Sequence, residues 1–254
     1  MSNIFDALNK RQPERPASRS TEPLVPLEPP SGGAPLPASG DIARDQDMER
    51  LRQRVLLELG TTAGASVVFA GSVEGEGATT LALLFARELA QAEQRPVLLV
   101  DADIEGYPRT LTGTMRDEGG ELGPGLADLL LNRAKLTDCL LGTELPNLHF
   151  LPRGSDLGPA LDLVQTQRVR TVLDEIQRHY AFVVLDGAPL VDSPESSLLA
   201  AATDGVVLVV RANRTRREVV QRGLRLLHQS NCQVLGAVLN DRKYPIPSFL
   251  YRRL

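Results

Sequence analysis

Short runs of consecutive apolar residues separate helix-like segments along most of this chain, and they restrict its fold more than any other feature. The clearest run covers residues 206–210, and residues 97–100 and 182–185 form similar runs. A strand with apolar side chains on both sides must be buried on both faces, as in a parallel sheet flanked by helices. The sequence therefore predicts an α/β fold, a doubly wound and mainly parallel sheet.

The spacing of apolar residues predicts the order of the elements. An amphipathic helix precedes the first strand, with apolar positions at Leu51, Val55, Leu56 and Leu59. The predicted strands cover residues 66–70, 97–100, 148–151, 182–185, 205–210 and 233–239. The predicted helices cover residues 79–91, 159–179 and 214–228. We find no internal repeat.

Length and composition predict one domain with tails. The chain has 254 residues, 42% of them hydrophobic, which is enough for one sizeable α/β core. Residues 1–10 are expected to form a short docking helix, and the Pro-, Ser- and Gly-rich residues 11–40 a disordered, flexible tether. The predicted domain covers residues 41–240 and is followed by a basic tail, 241–254.

Charge and cysteine content restrict the function classes. A net charge of −4 argues against non-specific binding of nucleic acid as the main task. No apolar run approaches the roughly 18 residues of a membrane span, and the N-terminus lacks a signal-peptide core. Cys139 and Cys232 have no metal-ligand spacing, so we interpret both as core residues. We therefore expect a cytoplasmic protein.

A glycine-rich segment between the first strand and the next helix has the pattern of a phosphate loop. Closely spaced glycines let backbone N–H groups bend around an anion, and the helix dipole adds to the attraction. The alternative is a glycine-rich turn without a ligand. Ala78 stands at the lysine position of such a loop. The candidate nucleotide-binding residues are Gly71, Gly75, Glu76, Gly77, Ala78, Thr79 and Thr80.

Three aspartates follow predicted strands. Asp101 and Asp103 end one strand, and Asp186 ends another. Ligands of open parallel sheets bind outside the carboxyl ends of the strands, so these side chains are candidate catalytic residues. Thr79, Asp101 and Asp186 are candidate ligands of Mg²⁺. The alternative is that each aspartate only caps a helix or a turn.

In serial order these motifs resemble the bacterial tyrosine kinases of capsule and exopolysaccharide export. That family shares the deviant phosphate-loop (P-loop NTPase) fold of the ParA- and MinD-like ATPases. The resemblance implies ATP and Mg²⁺ as cofactors and covers about residues 41–240. It rests on the segments 74–80, 97–103, 125–130, 151–154, 183–189, 204–211 and 234–240, and the helix at 1–10 is also similar to one found in some members.

The chain departs from the family pattern at several places. Ala78 replaces the phosphate-loop lysine, and Glu105 stands where the family places arginine. Glu49 and Arg52 match part of a subunit-packing motif, which implies a possible role in subunit contact. The family's C-terminal tyrosine cluster, a phosphoacceptor, is reduced to Tyr244 and Tyr251. Each departure argues against kinase activity or ring assembly.

The lost lysine should affect catalysis more than binding. One charged hydrogen bond is worth about 1.5–3 kcal/mol, so nucleotide affinity should fall roughly ten- to a hundred-fold. Cations on a transferred phosphoryl group are worth factors of order 10³ in rate. Arg109 and Arg153 are the candidate substitute cations, although a guanidinium does not reproduce a lysine. The arginines at 211–225 favour a solvated helix face over a binding patch.

The leading hypothesis is therefore a degenerate, kinase-like component of exopolysaccharide or capsule export. The resemblance implies a membrane-anchored polysaccharide co-polymerase or chain-length regulator as partner, a possible homo-oligomer and no nucleic acid. The protein would then associate with the inner membrane through that partner, or touch it through the basic tail. Two alternatives remain open: an active protein-tyrosine autokinase that uses ATP and Mg²⁺, and a ParA/MinD-type ATPase switch.

Overall fold

The computed structural model describes residues 27, 33–34, 45–60, 64–104, 111, 123–155 and 166–241. Its helices are α1 (Asp45–Leu59), α2 (Ala78–Glu93), α3 (Leu126–Leu130), α4 (Leu136–Cys139), α5 (Thr166–Gln177), α6 (Pro194–Ala202) and α7 (Arg217–Gln229). Its strands are β1 (Gly33–Ala34), β2 (Ala65–Gly71), β3 (Val97–Asp101), β4 (Leu141–Thr143), β5 (Leu148–Leu151), β6 (Phe182–Asp186), β7 (Gly205–Arg211) and β8 (Val234–Asn240).

The strands form one eight-stranded sheet in the order β1-β4-β5-β3-β6-β2-β7-β8. Every neighbouring pair is parallel except β4 with β5. The strands β2 and β3 follow each other in the chain, yet β6 lies between them. A crevice opens at the carboxyl ends of strands where the strand order changes in this way, and ligands of such sheets bind there.

Helices cover both faces of the sheet. Every residue of β2, β3 and β6 is buried. Val67 and Phe69 of β2 face a core that includes α1 and α2, while Val68 and Ala70 face a second core that includes α3, α5, α6 and α7. The predicted doubly wound, mainly parallel fold is therefore confirmed, because the continuous apolar strands are buried from both sides.

Several elements differ from the predicted ones. The helix α6 was missed, although Ser193 followed by Pro194 is a recognisable helix start. The short elements α3, α4 and β4 were also not predicted. The helix α7 begins at Arg217 instead of residue 214, because Arg216 has extended backbone with φ −70° and ψ 143°. Residues 214–216 belong to the connection from β7, which contributes to the site described below.

One segment of the predicted tether contacts the sheet. Gly33 and Ala34 pair with Gly142 and Thr143 of β4, and Leu27 packs against the core on the α5 face. The sequence assigned these residues to a flexible linker. The predicted docking helix (1–10), the rest of the tether and the tail beyond Asp241 lie outside the described residues, as does the predicted start of α5 at 159–165.

Within the described ranges, no helix is both long enough and apolar enough to cross a lipid bilayer.

Candidate functional site

The connection between β2 and α2 has the shape of an anion-binding loop. Gly75 and Gly77 have φ values of 80° and 91°, in the left-handed region that favours glycine. Gly77 is the N-cap of α2, and no side chain caps this helix. The N–H groups of the first turn, including those of Ala78 and Thr79, therefore point to a possible ligand at the positive end of the helix dipole.

The side chain of Glu76 folds back into the loop. Its carboxylate accepts hydrogen bonds from the N–H of Ser72 and from the N–H of Val73, the latter at 3.0 Å. The hydroxyl of Thr215 donates to the other carboxylate oxygen. Only 3% of Glu76 is exposed. The base of the loop is thus closed by a buried carboxylate from the loop itself.

The ends of β7 and β8 support the loop on the side opposite β6. Asn240 donates from Nδ2 to the carbonyl oxygen of Glu76 at 2.9 Å. Arg211 donates from Nη1 to the carbonyl oxygen of Gly75 at 3.3 Å. The same guanidinium donates twice to the carboxylate of Asp241, at 3.0 and 2.9 Å. These contacts hold the loop backbone from the side of β7 and β8.

Ala78 is the first residue of α2. Its methyl group packs against the core that α1 and α2 share, and it offers no cation to a phosphate. Among the described residues Lys135 is the one lysine, and it precedes α4. The loop therefore keeps the backbone donors of a phosphate site but lacks the amine that such loops carry at this position.

The structure brings the three predicted aspartates together. Asp101 ends β3, Asp186 ends β6, and the two residues are direct partners in the sheet register. Asp101 is fully buried and Asp186 is 2% exposed. Asp103 is also buried, and its N–H donates to Oδ1 of Asp101 at 3.2 Å. Because β6 adjoins β2, these carboxylates lie beside the phosphate loop.

The environment of Asp186 disfavours its ionised form. Burial raises the pKa of Asp186 well above the usual value, the nearby Asp101 carboxylate raises it further, a hydrogen bond from Thr79 opposes the shift, and Asp103 adds to it. Within the described part of the chain, Oδ1 of Asp186 is buried without a hydrogen-bond partner. A cation or its bound water would supply both the missing partner and the compensating charge.

The oxygen atoms of this site suit Mg²⁺ that is bound together with a nucleotide better than they suit a metal ion held by protein ligands alone. Mg²⁺ usually keeps several waters and is held by one or two carboxylates together with substrate phosphates. Thr79 supplies a hydroxyl, and Asp101 and Asp186 supply carboxylates. No group of three or more His, Cys, Asp or Glu in the described ranges is arranged to hold a metal. The site therefore fits a magnesium ion that arrives with a nucleotide, although Ala78 does not fit its outer phosphates.

Arg52, a predicted subunit-contact residue, is engaged within its own chain. Its guanidinium bonds Glu88 of α2 at 3.1 Å and also bonds Glu93. Glu49 is exposed and accepts a hydrogen bond from Gln53. Val55 stands where the resemblance implies the last arginine of the same motif, and it is 3% exposed and packs in the core, so an arginine could not replace it without entering that core. A role for Glu49 and Arg52 in subunit contact stays a prediction.

The segments 125–130 and 151–154, both part of the resemblance, form one structural unit together with Ser155. The carboxylate of Asp128 accepts hydrogen bonds from the N–H of Gly125 at 2.9 Å and of Ser155 at 3.0 Å. Arg153, one of the two substitute cations suggested by the sequence, belongs to the same unit. Its backbone carbonyl oxygen accepts a hydrogen bond from the N–H of Ala127. The other candidates, Arg109, Glu105, Tyr244 and Tyr251, lie outside the described residues.

The sequence did not connect Asn240, Arg211 and Thr215 with the loop, and for Arg211 it favoured a solvated helix face, whereas this side chain bonds the loop backbone. Asn240 and Arg211 each end a strand, and the same rule that selected the aspartates would have selected them. Thr215 lies in a connection with no motif of its own. Only the folded chain shows its contact with Glu76, which is 139 residues away in the sequence.

Comparisons with known proteins agree with this geometry. Residues 66–231 match the family model described as an AAA domain. Tyrosine-protein kinase CpsD of Streptococcus agalactiae is 30% identical over 167 residues, which are 66% of this chain and 71% of that protein. The structure is similar to the kinase domain of Escherichia coli tyrosine kinase ETK, with a TM-score of 0.70 at 20% identity over 80% of this chain and 79% of that one.

A further solved structure is more similar in sequence. The VpsO kinase domain has a TM-score of 0.65 and 27% identity, and the match covers 79% of this chain and 97% of that one. The family model covers well over half of the chain, and the CpsD match covers more than two thirds of CpsD. The chain therefore belongs to the AAA-domain family and, within it, to the bacterial tyrosine kinases with the ParA/MinD-like phosphate-loop fold.

Proposed function

We propose that this protein is a degenerate, kinase-like component of capsule or exopolysaccharide biosynthesis. It binds ATP with Mg²⁺ weakly and acts mainly by binding a membrane-anchored co-polymerase or chain-length regulator. The observation that carries the proposal is Ala78, which packs its methyl group on the core at the start of α2 while the rest of the site is assembled. The partner class follows from the resemblance to the capsule and exopolysaccharide kinases.

The retained residues each have a task in this proposal. The backbone N–H groups at the start of α2 bind phosphate oxygens, and Gly75 and Gly77 give the loop its shape. Thr79, Asp101 and Asp186 hold Mg²⁺ and its water shell. When bound, Mg²⁺ neutralises charge on the outer phosphates. The loop lacks the second, flexible cation that a lysine at position 78 would supply.

Magnitudes favour binding over catalysis. Loss of one charged hydrogen bond, worth about 1.5–3 kcal/mol, weakens nucleotide affinity by roughly ten- to a hundred-fold and leaves binding measurable. Phosphoryl transfer depends almost wholly on positioning and charge stabilisation, so the rate falls by a factor of order 10³ or more. A regulator that senses nucleotide tolerates the first loss, whereas a kinase does not tolerate the second.

A specific observation also favours the second candidate, an active tyrosine autokinase. The guanidinium of Arg211 already contacts the phosphate loop at the carbonyl oxygen of Gly75. This arginine is a cation in contact with the loop that the sequence did not suggest as a substitute. Its bonds to Asp241 hold it on the far side of the loop from the aspartates, so the degenerate reading remains the first candidate.

The experiment restores the missing lysine. We expect purified wild-type protein with labelled ATP and Mg²⁺ to incorporate little label on tyrosine, with or without the cytoplasmic part of a candidate membrane co-polymerase. Ala78→Lys should bind ATP about ten- to a hundred-fold more tightly and gain tyrosine labelling. The double variant Ala78→Lys/Asp186→Asn is the control and should lose that gain.

Three outcomes would change the proposal. Strong labelling of the wild type that Asp101→Ala abolishes would establish an active kinase. Nucleotide-dependent dimerisation without tyrosine labelling would favour the ATPase switch. No binding at millimolar ATP would leave only a scaffold that binds its partner.

A further inference from the structure

Two elements that are distant in sequence converge on one loop residue. Thr215, from the connection between β7 and α7, donates its hydroxyl hydrogen to the carboxylate of Glu76. Asn240, from the end of β8, donates to the backbone carbonyl of the same residue at 2.9 Å. The two contacts span 139 and 164 residues of sequence. Glu76 is therefore held by its side chain and by its backbone at once.

The carboxylate of Glu76 in turn holds the loop. It accepts the N–H groups of Ser72 and Val73, which begin the loop directly after β2. Hydrogen bonds to an ionised acceptor are about twice as strong as neutral ones, and burial strengthens them further. These hydrogen bonds fix Ser72 and Val73 relative to Glu76, so the segment between them has few alternative backbone conformations.

The packing around these contacts is tight. A Cβ on Gly77 would lie 2.2 Å from Nδ2 of Asn240, and a Cβ on Gly71 would lie 2.9 Å from a carboxylate oxygen of Glu76. Asn240, which holds Glu76, thus approaches Gly77 too closely for a side chain there, and Glu76 itself leaves little room for one at Gly71. Glu76, the residues that hold it and the two glycines therefore form one closely packed unit.

Such an arrangement matters because an open phosphate loop is unfavourable without its anion. Several N–H dipoles point to one place, and glycines lose more conformational freedom on ordering than other residues. If the loop is already ordered before the ligand arrives, binding loses less conformational entropy. Since Ala78 contributes no cation, a preformed backbone must supply a larger share of the affinity.

We propose that Glu76 is the positioning residue of the phosphate loop, and that Thr215 and Asn240 are the clamps that hold it, so that the loop has its phosphate-receiving form before any ligand binds. The ligand part of this inference rests on the proposed nucleotide binding. The structural part, a loop ordered by Glu76 and its clamps, does not.

Thr215 offers a matched pair of variants outside the loop. Thr215→Val keeps the size and branching of the side chain but removes the hydroxyl, whereas Thr215→Ser keeps the hydroxyl. Glu76→Gln is a second test, since it keeps the size of the side chain and removes the charge. For each variant we would measure hydrogen exchange of the amides of residues 72–79 without nucleotide, and the affinity for ATP and ADP with Mg²⁺ by calorimetry.

We expect Thr215→Val and Glu76→Gln to speed exchange of the loop amides and to weaken nucleotide affinity by about tenfold, the effect of one hydrogen bond. Thr215→Ser should match the wild type within about twofold. The melting temperature should change little in all three, which separates positioning of the loop from general stability.

Two results would overturn the inference. If exchange in Thr215→Val equals that of the wild type, the clamp does not hold the loop. If exchange is faster but affinity is unchanged, Glu76 orders the loop without positioning it for phosphate. If the wild type binds no nucleotide, the proposed function fails, and faster exchange in Thr215→Val alone still supports the ordering by Glu76.

Discussion

At the scale of single residues, Asp186 has opposite effects on folding and on binding, because the buried carboxylate destabilises the ligand-free protein but is suited to bind a cation. Its carboxylate is buried and faces Asp101 across neighbouring strands. Burial and that neighbouring charge raise its pKa in the folded protein. The folded state thus binds this proton more tightly than the unfolded state. The stability that results is fully present below the ordinary aspartate pKa of about 3.9 and is lost as the pH rises through the folded-state pKa.

Asp186→Asn should therefore stabilise the ligand-free protein while it removes a proposed magnesium ligand. At pH 7 we expect the free energy of unfolding to rise, because the amide removes the cost of burying an ionised carboxylate beside Asp101. The decline of stability from pH 4 to pH 8 should become shallower. Urea unfolding across this pH range measures both effects.

The exposed Asp192 provides the control for this prediction, and Asp192→Asn should leave stability within about 0.5 kcal/mol. A lower stability of Asp186→Asn than of the wild type would show that the carboxylate is favourably paired, and our account of its environment would be wrong.

At the scale of elements, α1 and α2 form one layer that an ion-pair cluster ties together. Arg52 of α1 contacts Glu88 and Glu93 of α2, and all three side chains are largely shielded from water, with 17%, 22% and 26% of their surfaces exposed. Met48 and Val55 of α1 pack in the core beneath. Since α2 begins at the phosphate loop, α1 supports the helix whose N-terminus faces the proposed nucleotide site.

Arg52→Ala should lower the free energy of unfolding by about 1–2 kcal/mol, because it leaves two partly buried carboxylates without their shared donor. Arg50→Ala on the same helix is the matched control, since Arg50 is 75% exposed and pairs with Asp47 at 3.7 Å. That variant should lie within about 0.5 kcal/mol of the wild type. Equal effects in chemical denaturation would contradict a specific role for the cluster.

At the scale of the whole molecule, the sheet order assembles the site. The insertion of β6 between β2 and β3 places Asp186 next to the phosphate loop and next to Asp101. On the other side, β7 and β8 bring Arg211, Thr215 and Asn240 to the loop. A ligand bound in the crevice would therefore contact residues that the whole sheet holds in place, and its binding should stabilise the whole domain.

Ligand binding should therefore be visible in global unfolding. With millimolar ATP and Mg²⁺, we expect Ala78→Lys to be stabilised by about 1.4–2.7 kcal/mol more than the wild type, as a ten- to hundred-fold difference in affinity implies. This corresponds to about 3–10 °C in melting temperature. Removal of Mg²⁺ with a chelator should abolish most of the shift in both proteins, and equal shifts would show that the lysine position does not limit binding.

The fold class could be predicted because it depends on local pattern. Strands such as β3 and β6 are apolar up to the aspartate that ends each of them, and burial on both faces explains that composition. The short elements α3, α4 and β4 were missed because a few residues carry too little periodicity to distinguish a helix from a strand. Gly33 and Ala34 were assigned to a tether because their pairing with β4 depends on a distant partner.

The features of the candidate site also fall into two groups, those that the sequence predicts and those that only the folded chain shows. The sequence alone determined the phosphate loop, its missing lysine and the three strand-end aspartates, because spacing and strand ends are local properties. Only the tertiary structure decided that Asp186 faces Asp101, that Thr215 and Asn240 hold Glu76, and that Arg52 bonds α2. These contacts join residues from 36 to 164 positions apart, and which of them meet is set by the order of strands in the sheet.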